Sequence, residues 1–222
     1  MAIRDFLTLP GFLTLAAGVL LVLSGVLSAV STGSIYYTME VTHNTLKSGT
    51  HLYLRQFCNW DQLSQELVCQ PYDVAAACGA SLPDGDTKAQ AEASDYCLFV
   101  RHCATNTNLL AAATALFFAA AAAGLVSVLV LAPLRYASVG VGLLAAVLSV
   151  AGLAVYKDKE DAFLHFVAVL VPDPVPDGWS LVNGVGPGYS CQLAAIVLGL
   201  LGAALMLVPK FVRSARDRFQ QL

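Results

Sequence analysis

Residues 11–35 read GFLTLAAGVLLVLSGVLSAVSTGSI and lie within a run of 34 residues that carries no charged side chain. A helix needs about 20 mostly apolar residues to cross the hydrocarbon core of a bilayer. Three later stretches are also free of charge, between Arg101 and Arg135, between Arg135 and Lys157, and between Asp177 and Lys210. The sequence therefore predicts four membrane-spanning helices, at residues 11–35, 109–132, 137–155 and 191–208.

The composition of the 222-residue chain excludes a water-soluble enzyme. Hydrophobic residues make up 57% of the sequence and charged residues only 12%, whereas a soluble domain has about 25% charged residues. The first apolar run is longer than the core of a secretory signal, so we expect it to remain as a helix. What is left is a first loop at 36–108, a second loop at 156–190 and a tail at 209–222.

The distribution of charge predicts the orientation of the four helices. Positively charged residues favour the cytoplasmic side in short flanking segments. The side that holds the two termini and the 133–136 turn carries six basic and two acidic residues, whereas the two large loops carry six basic and thirteen acidic residues. We therefore expect a multi-pass protein of the plasma membrane, with cytoplasmic N- and C-termini and both large loops outside the cytoplasm.

Five of the six cysteines fall in the first loop, Cys191 lies where the fourth helix begins at the outer side, and none lies in a cytoplasmic segment. An even number on an oxidising side predicts three disulfides. Free thiols are the alternative, and metal ligation is disfavoured because no C-x-x-C motif occurs. Cys58 and Cys69 flank a short hairpin-like stretch. The remaining expected pairs are Cys103–Cys191, near the outer mouths of two helices, and Cys78–Cys97, around the 79–96 segment.

The two loops contain candidate strands. β-branched and aromatic residues favour strands, and they predict strands at 34–42, 50–57 and 65–70, with a short helix at 73–78. Residues 162–171 are too short to span a bilayer, and we expect a further strand there in preference to an interfacial segment. The predicted fold class is a mostly α membrane protein: a four-helix transmembrane bundle with a small, disulfide-braced extracellular β-sheet.

Small residues recur at helical spacing in the predicted spans. They allow close approach of helices in lipid, so they indicate packing inside the bundle, or a face that docks another membrane protein. These residues are Gly25, Ala29, Gly142, Ala146, Ala195, Gly199 and Ala203.

The chain offers no constellation that would support catalysis. The predicted spans contain no Asp, Glu, Lys, Arg or His, although ion and proton pathways normally need polar groups in the membrane. We expect no catalytic residue, no cofactor, no metal and no nucleic acid partner. Four basic residues of the tail are positioned to mark orientation and to contact anionic lipid of the inner leaflet. They are Lys210, Arg213, Arg216 and Arg218.

The topology resembles that of the claudin and peripheral myelin protein superfamily. The match is carried by Cys58 and by the run Cys69-Gln70-Pro71-Tyr72-Asp73, and Gly188-Tyr189-Ser190 before the fourth helix is also similar. The resemblance implies four passes, cytoplasmic ends and a longer first ectodomain loop.

Three functions are compatible with these features. We expect a non-enzymatic accessory or assembly subunit that binds another membrane or extracellular protein, such as a channel, receptor or surface structure. The first alternative is claudin-type self-assembly as an adhesion or barrier protein, which would make the chain a homo-oligomer. The second is a membrane redox protein that uses the loop cysteines.

Overall fold

A computed structural model of the chain describes residues 9–43, 45–79, 87–129, 133–170 and 179–219. The chain divides into two compact units. The helical unit comprises Met1–Ala29, Leu110–Val150 and Cys191–Leu222, and the sheet unit comprises Val30–Leu109 and Ala151–Ser190.

Long helices dominate the secondary structure. The helices are α1 (Leu9–Gly33), α2 (Val74–Gly79), α3 (Thr87–Leu129), α4 (Leu134–Leu170) and α5 (Pro187–Phe219). Four of them contain segments long and apolar enough to cross a membrane, namely Gly11–Gly33, Ser94–Ser127, Leu134–Lys157 and Pro187–Pro209. These segments, together with a small sheet and two disulfides, confirm the predicted fold class. The chain is a multi-pass integral membrane protein.

The sheet has five antiparallel strands in the order β4-β3-β2-β1-β5. Tyr37 of β1 lies opposite Leu52 of β2 on one side and opposite Val185 of β5 on the other. The strands are β1 (Tyr37–His43), β2 (Leu46–Leu52), β3 (Gln56–Asp61), β4 (Leu67–Pro71) and β5 (Trp179–Val185).

Small and aromatic side chains form the core of the helical unit. Phe117 and Met206 are fully buried, and the alanines around them let the helices approach closely. The opposite faces of these helices are apolar and exposed, as at Val147 (61% exposed) and Val197 (54% exposed). Helices that cross a membrane need aliphatic side chains on the surface that contacts lipid, and these exposed faces meet that requirement.

The core of the sheet unit is built around Tyr36. Its side chain is fully buried, its hydroxyl lies 3.0 Å from that of Ser31, and its ring lies 5.1 Å from the ring of Tyr156. The Tyr36 backbone accepts a hydrogen bond from the N–H of Gly186 at 2.8 Å. A neighbouring bond runs from the N–H of Gly188 to the carbonyl of Ile35 at 2.7 Å. The start of the sheet is therefore joined to the start of α5 by backbone hydrogen bonds.

Three helices are longer than the sequence predicts. α3 begins at Thr87 instead of Leu109, because residues 87–123 contain neither Gly nor Pro to end a helix. Much of the predicted first loop is therefore helical. The strand predicted at 162–171 was wrong, because α4 continues to Leu170 without a helix-breaking residue. α5 begins at Pro187, before Cys191, and proline is well suited to the first turn of a helix.

The sheet also differs from the prediction in two places. The single strand expected at 50–57 is two strands, because the chain turns at residues 53–55, where the N–H of Tyr53 donates to the carbonyl of Gln56 at 2.9 Å. β5 was missed because the glycines in 184–188 indicate a turn. The structure places Gly184 in an extended strand opposite Thr38. Strands β1 and β4 lie close to the predicted segments 34–42 and 65–70.

We predict that Gly188→Ala destabilises the sheet unit by about 1–3 kcal/mol, the usual effect of overpacking a core. A Cβ at position 188 would lie 2.8 Å from the Tyr36 ring and 3.0 Å from the Ile35 carbonyl oxygen. Thermal unfolding of the detergent-solubilised protein measures the change. Gly33→Ala is the matched control, since a Cβ there meets nothing within 4 Å. If the two variants had equal melting temperatures, the contact with Tyr36 would not restrict the size of the side chain at residue 188.

Candidate interaction surface

A disulfide braces the β3–β4 hairpin at the edge of the sheet. Cys58 and Cys69 face each other across the two strands, with their Cα atoms 4.0 Å apart, and they form a disulfide. Cys58 is completely buried, whereas β4 is exposed along its whole length. The bond therefore anchors an exposed edge strand to the interior of the sheet unit.

Local hydrogen bonds define the turn of this hairpin. The Asp61 carboxylate accepts a hydrogen bond from the N–H of Leu63 at 3.1 Å, and the Asp61 carbonyl accepts one from the N–H of Gln65 at 3.0 Å. Short polar side chains that bond to the backbone two residues ahead are typical of tight turns. Gln65 completes the turn with a positive φ of 53°. The turn therefore presents Leu63 in a constrained backbone.

Trp60 of β3 packs the hairpin against the neighbouring strand β2. It lies opposite Gly49 of β2, and a Cβ at residue 49 would lie 2.6 Å from the indole nitrogen of Trp60. Glycine at this position therefore lets the indole lie against the backbone of β2. The ring centroid of His51 is 6.2 Å from that of Trp60.

Three large aliphatic side chains are exposed on this braced hairpin. Leu63 is 71% exposed, Leu67 is 55% exposed and Val68 is 52% exposed. We call these three residues the hairpin patch. Two acidic residues of the same turn, Asp61 and Glu66, lie next to these residues in the sequence and give the patch a polar border. Leu67 and Val68 are consecutive residues of β4, so their side chains point to opposite faces of the sheet and the hairpin patch covers both faces of its edge. Exposed apolar surface with a polar border is typical of protein interaction sites.

The second disulfide joins α2 to α3. Cys78 and Cys97 are bonded, with their Cα atoms 4.9 Å apart. Asp73 caps α2, since its carboxylate accepts hydrogen bonds from the N–H groups of Ala75 and Ala76 at 2.9 and 3.0 Å. Two of the three expected cysteine pairs are therefore present.

The third expected disulfide, Cys103–Cys191, is not formed, and both thiols are free. The prediction placed Cys103 at the end of a loop, where it could reach another loop. Cys103 instead lies well inside α3, and its side chain is 1% exposed within the core of the sheet unit. A cysteine held in a core on a continuous helix lacks the backbone freedom that a loop cysteine has.

The small residues predicted to pack helices occupy two environments. Gly25 lies against the ring of Phe118, and Gly142 lies against Leu21 and the Cβ of Ala203. Gly199 faces Phe117, while Ala146, Ala195 and Ala203 are buried. Ala29 differs, because it is exposed. The buried members serve packing within the helical unit and are not available as a docking face.

The basic tail residues lie on the last turns of α5. Lys210, Arg213, Arg216 and Arg218 belong to a helix that runs on past Pro209 to Phe219. Their side chains, and residues 220–222, lie outside what the structure describes.

Polar contacts between helices were not predicted from the sequence, because only charged residues were considered in the spans. In the helical unit, the amide of Gln192 on α5 donates to the carbonyl of Ser149 on α4 at 2.8 Å, and Gln192 is fully buried. Thr114 donates to the Ser28 hydroxyl at 2.9 Å, and Ser138 donates to the carbonyl of Ala120 at 2.6 Å. These contacts could have been predicted from the polar residues within the apolar spans, because such side chains hydrogen-bond across helices in lipid.

Within the described ranges, no group of three or more His, Cys, Asp or Glu side chains is arranged to hold a metal ion. In comparisons with known proteins, no family model matches the chain. No curated protein sequence matches it either.

We predict that iodoacetamide, applied in SDS without reductant, modifies two of the six cysteines. The modified residues should be Cys103 and Cys191, because the other four are held in disulfides. Reduction before alkylation should expose all six, and peptide mass spectrometry identifies the sites. If no cysteine is alkylated before reduction, Cys103 and Cys191 form a third disulfide and the assignment of two free thiols is wrong.

Proposed function

We propose that this chain is a non-enzymatic, claudin-like accessory or assembly subunit, and that it binds another membrane or extracellular protein. The hairpin patch is the observation that carries the proposal. Three large aliphatic side chains, one on the hydrogen-bonded turn and two on the disulfide-braced strand β4, are costly to expose to water unless a partner covers them.

The chemistry around the patch indicates the kind of partner. Asp61 and Glu66 give its border negative charge, so a partner surface with an apolar centre and basic rim would be complementary. The rigid turn also lowers the entropic cost of binding, since few groups must be ordered. In this proposal the sheet lies outside the plasma membrane and both termini lie in the cytoplasm, as the charge distribution and the claudin resemblance imply, and the basic tail faces the inner leaflet.

Self-assembly of claudin type is the second candidate, and the sheet edge favours it. Among the described strands, β4 pairs only with β3, so its outer edge can add a strand from another copy. This function requires the protein to concentrate where two expressing cells touch. An accessory subunit instead follows its partner, independently of cell contact.

Native pull-down of the tagged full chain tests the proposal. We expect a partner at constant stoichiometry with the wild type, and its loss when Leu63→Glu and Leu67→Glu are combined. Val182→Glu is the matched control, because Val182 is 60% exposed on β5 at the opposite edge of the sheet. Its capture should equal that of the wild type.

Two results would contradict the accessory function. If the wild type is recovered only as an isolated monomer, it has no stable partner. If the patch substitutions leave the capture of the partner unchanged, the hairpin patch is not the binding site. Mixing two differently tagged cell populations separates the second candidate, since only self-assembly between membranes yields co-purification of both tags. Melting temperatures near that of the wild type show that the variants remain folded.

A further inference from the structure

Strand β4 lies at the edge of the sheet, and two observations show which of its backbone groups point away from β3. In an antiparallel pair, hydrogen-bonded and non-hydrogen-bonded positions alternate along the strands. The N–H of Tyr72 donates to the carbonyl of Arg55 at 2.9 Å, so this position is hydrogen-bonded. Further along the same register, Cys58 and Cys69 face each other with Cα atoms 4.0 Å apart, the close spacing of a non-hydrogen-bonded pair. Both observations give the same alternation.

The alternation leaves a row of backbone groups at the outer edge of β4. The N–H and C=O groups of Leu67 and Cys69 point to this edge, and so does the carbonyl of Pro71. Pro71 has no N–H, and its place in the alternation is one at which no ladder bond to β3 is lost. Among the described strands, β4 pairs only with β3, and all of its residues are exposed. The edge therefore offers two donors and three acceptors to a further strand.

This edge lacks most of the features that usually prevent pairing. Natural edge strands are protected by charged residues, bulges or covering segments. Strand β4 reads LVCQP, contains no charged residue and pairs with β3 without a bulge. The disulfide from Cys69 to the buried Cys58 holds the strand in place. Because the edge is already ordered, little conformational entropy is lost when another strand binds to it.

The side chains of the edge indicate the chemistry of the added strand. The backbone of Val68 bonds to β3, so Val68 would form a close, non-hydrogen-bonded pair with the residue beside it in an added strand. Its side chain is 52% exposed, and an aliphatic neighbour would cover it. Glu66 lies two residues before Val68, and opposite charges across neighbouring strands are favourable. A basic residue is therefore favoured beside Glu66.

The charge of the hairpin favours a different protein over a second copy of this chain. Residues 56–71 contain two acidic residues and no basic residue. Two copies of this hairpin would bring like charges together at the shared edge, whereas a partner strand with a basic residue is complementary.

We propose that the partner adds an extended strand, antiparallel to β4, along the outer edge of the sheet. Two hydrogen bonds each at Leu67 and Cys69 and one at Pro71 would hold its backbone. An aliphatic residue of the partner lies opposite Val68, and a lysine or arginine two positions later lies opposite Glu66. An added strand contacts both faces of the edge, as the hairpin patch requires. The inference rests on the proposed function, because it describes how the same hairpin holds the partner.

A six-residue peptide of the required pattern tests this mode of binding. The probe is the amidated peptide Thr-Thr-Thr-Val-Thr-Lys with a fluorophore at its N-terminus. In the antiparallel register its valine lies opposite Val68 and its lysine lies opposite Glu66. Fluorescence anisotropy measures its binding to the full chain in phosphatidylcholine nanodiscs, with empty nanodiscs as the blank. We expect saturable binding, and replacement of the lysine by glutamate should weaken it about threefold.

Two N-methylated isomers of the probe distinguish strand addition from other binding. N-methyl groups on the third and fifth residues remove the N–H groups that would donate to the carbonyls of Cys69 and Leu67, so saturable binding should be lost. N-methyl groups on the second and fourth residues point away from β4, because backbone groups alternate along a strand. This isomer is the matched control, and its affinity should stay within about threefold of that of the probe.

Substitutions at Leu67 test the edge from the side of the protein. Leu67→Pro removes an N–H that points outward and spares the ladder to β3, whereas Leu67→Thr also loses the leucine side chain but keeps the N–H. The affinity for the probe should be about threefold to tenfold lower in Leu67→Pro than in Leu67→Thr, the effect of one lost hydrogen bond. Equal melting temperatures of the two variants show that both remain folded.

Three outcomes would overturn the proposal. The first is the absence of saturable binding by the probe, and the second is equal binding of the two N-methylated isomers. The third is tighter binding by a peptide with the sequence of residues 66–71, which would identify a second copy as the occupant of the edge.

The result also separates this inference from the proposed function. If the probe fails while capture of a partner still depends on the hairpin patch, strand addition is wrong and the accessory function stands. If the probe binds as expected while the wild type captures no partner, the accessory function is wrong and the edge of β4 remains a strand-binding site.

Discussion

The lack of charge along four long segments is the constraint on which the rest of the structure depends. Lipid offers no hydrogen-bond partners, so a spanning segment must satisfy every backbone group internally. The helices do this, and their outer faces are lined with exposed aliphatic side chains. Because hydrophobicity provides no drive between helices in lipid, close packing at small residues and a few polar contacts hold the helical unit together.

The sheet unit solves a different problem. In this unit, disulfides and backbone hydrogen bonds supplement the burial of aromatic rings. Tyr36 joins the first strand to residues that lead into α5, and the Cys58–Cys69 bond holds the exposed strand β4. This bond and the hydrogen bonds of the turn hold an exposed aliphatic side chain, Leu63, at the tip of the hairpin.

The long-range pattern of charge was enough to predict the fold class, because a stretch without charge that exceeds the bilayer thickness has few alternatives. Local signals were less informative. Strand propensity in 50–57 did not reveal the turn at Tyr53. The glycines in 184–188 indicated a turn, although Gly184 pairs with Thr38 of β1 in the sheet. Tertiary pairing decides such cases, since strand preference depends on the neighbours.

The candidate site was only partly predictable for the same reason. Spacing alone suggested Cys58–Cys69, because residues that flank a hairpin meet across it. The pairing of Cys103 depended instead on where α3 begins, and the loop assignment gave it a freedom that a helix removes. The packing of Tyr72 against Phe57 of β3 and Phe99 of α3 also brings together residues that are far apart in the sequence. No local motif marks such a meeting.

Glycosylation mapping tests the four-crossing topology most directly. Gln62→Asn completes an Asn-x-Ser acceptor with Ser64 in the exposed hairpin turn, and a second acceptor sequence can be appended after Leu222. Three spanning helices separate the two positions. Four crossings with cytoplasmic ends predict that the hairpin acceptor is glycosylated in eukaryotic cells and that the tail acceptor is not. Glycosylation of the tail, alone or together with the hairpin, would contradict this topology.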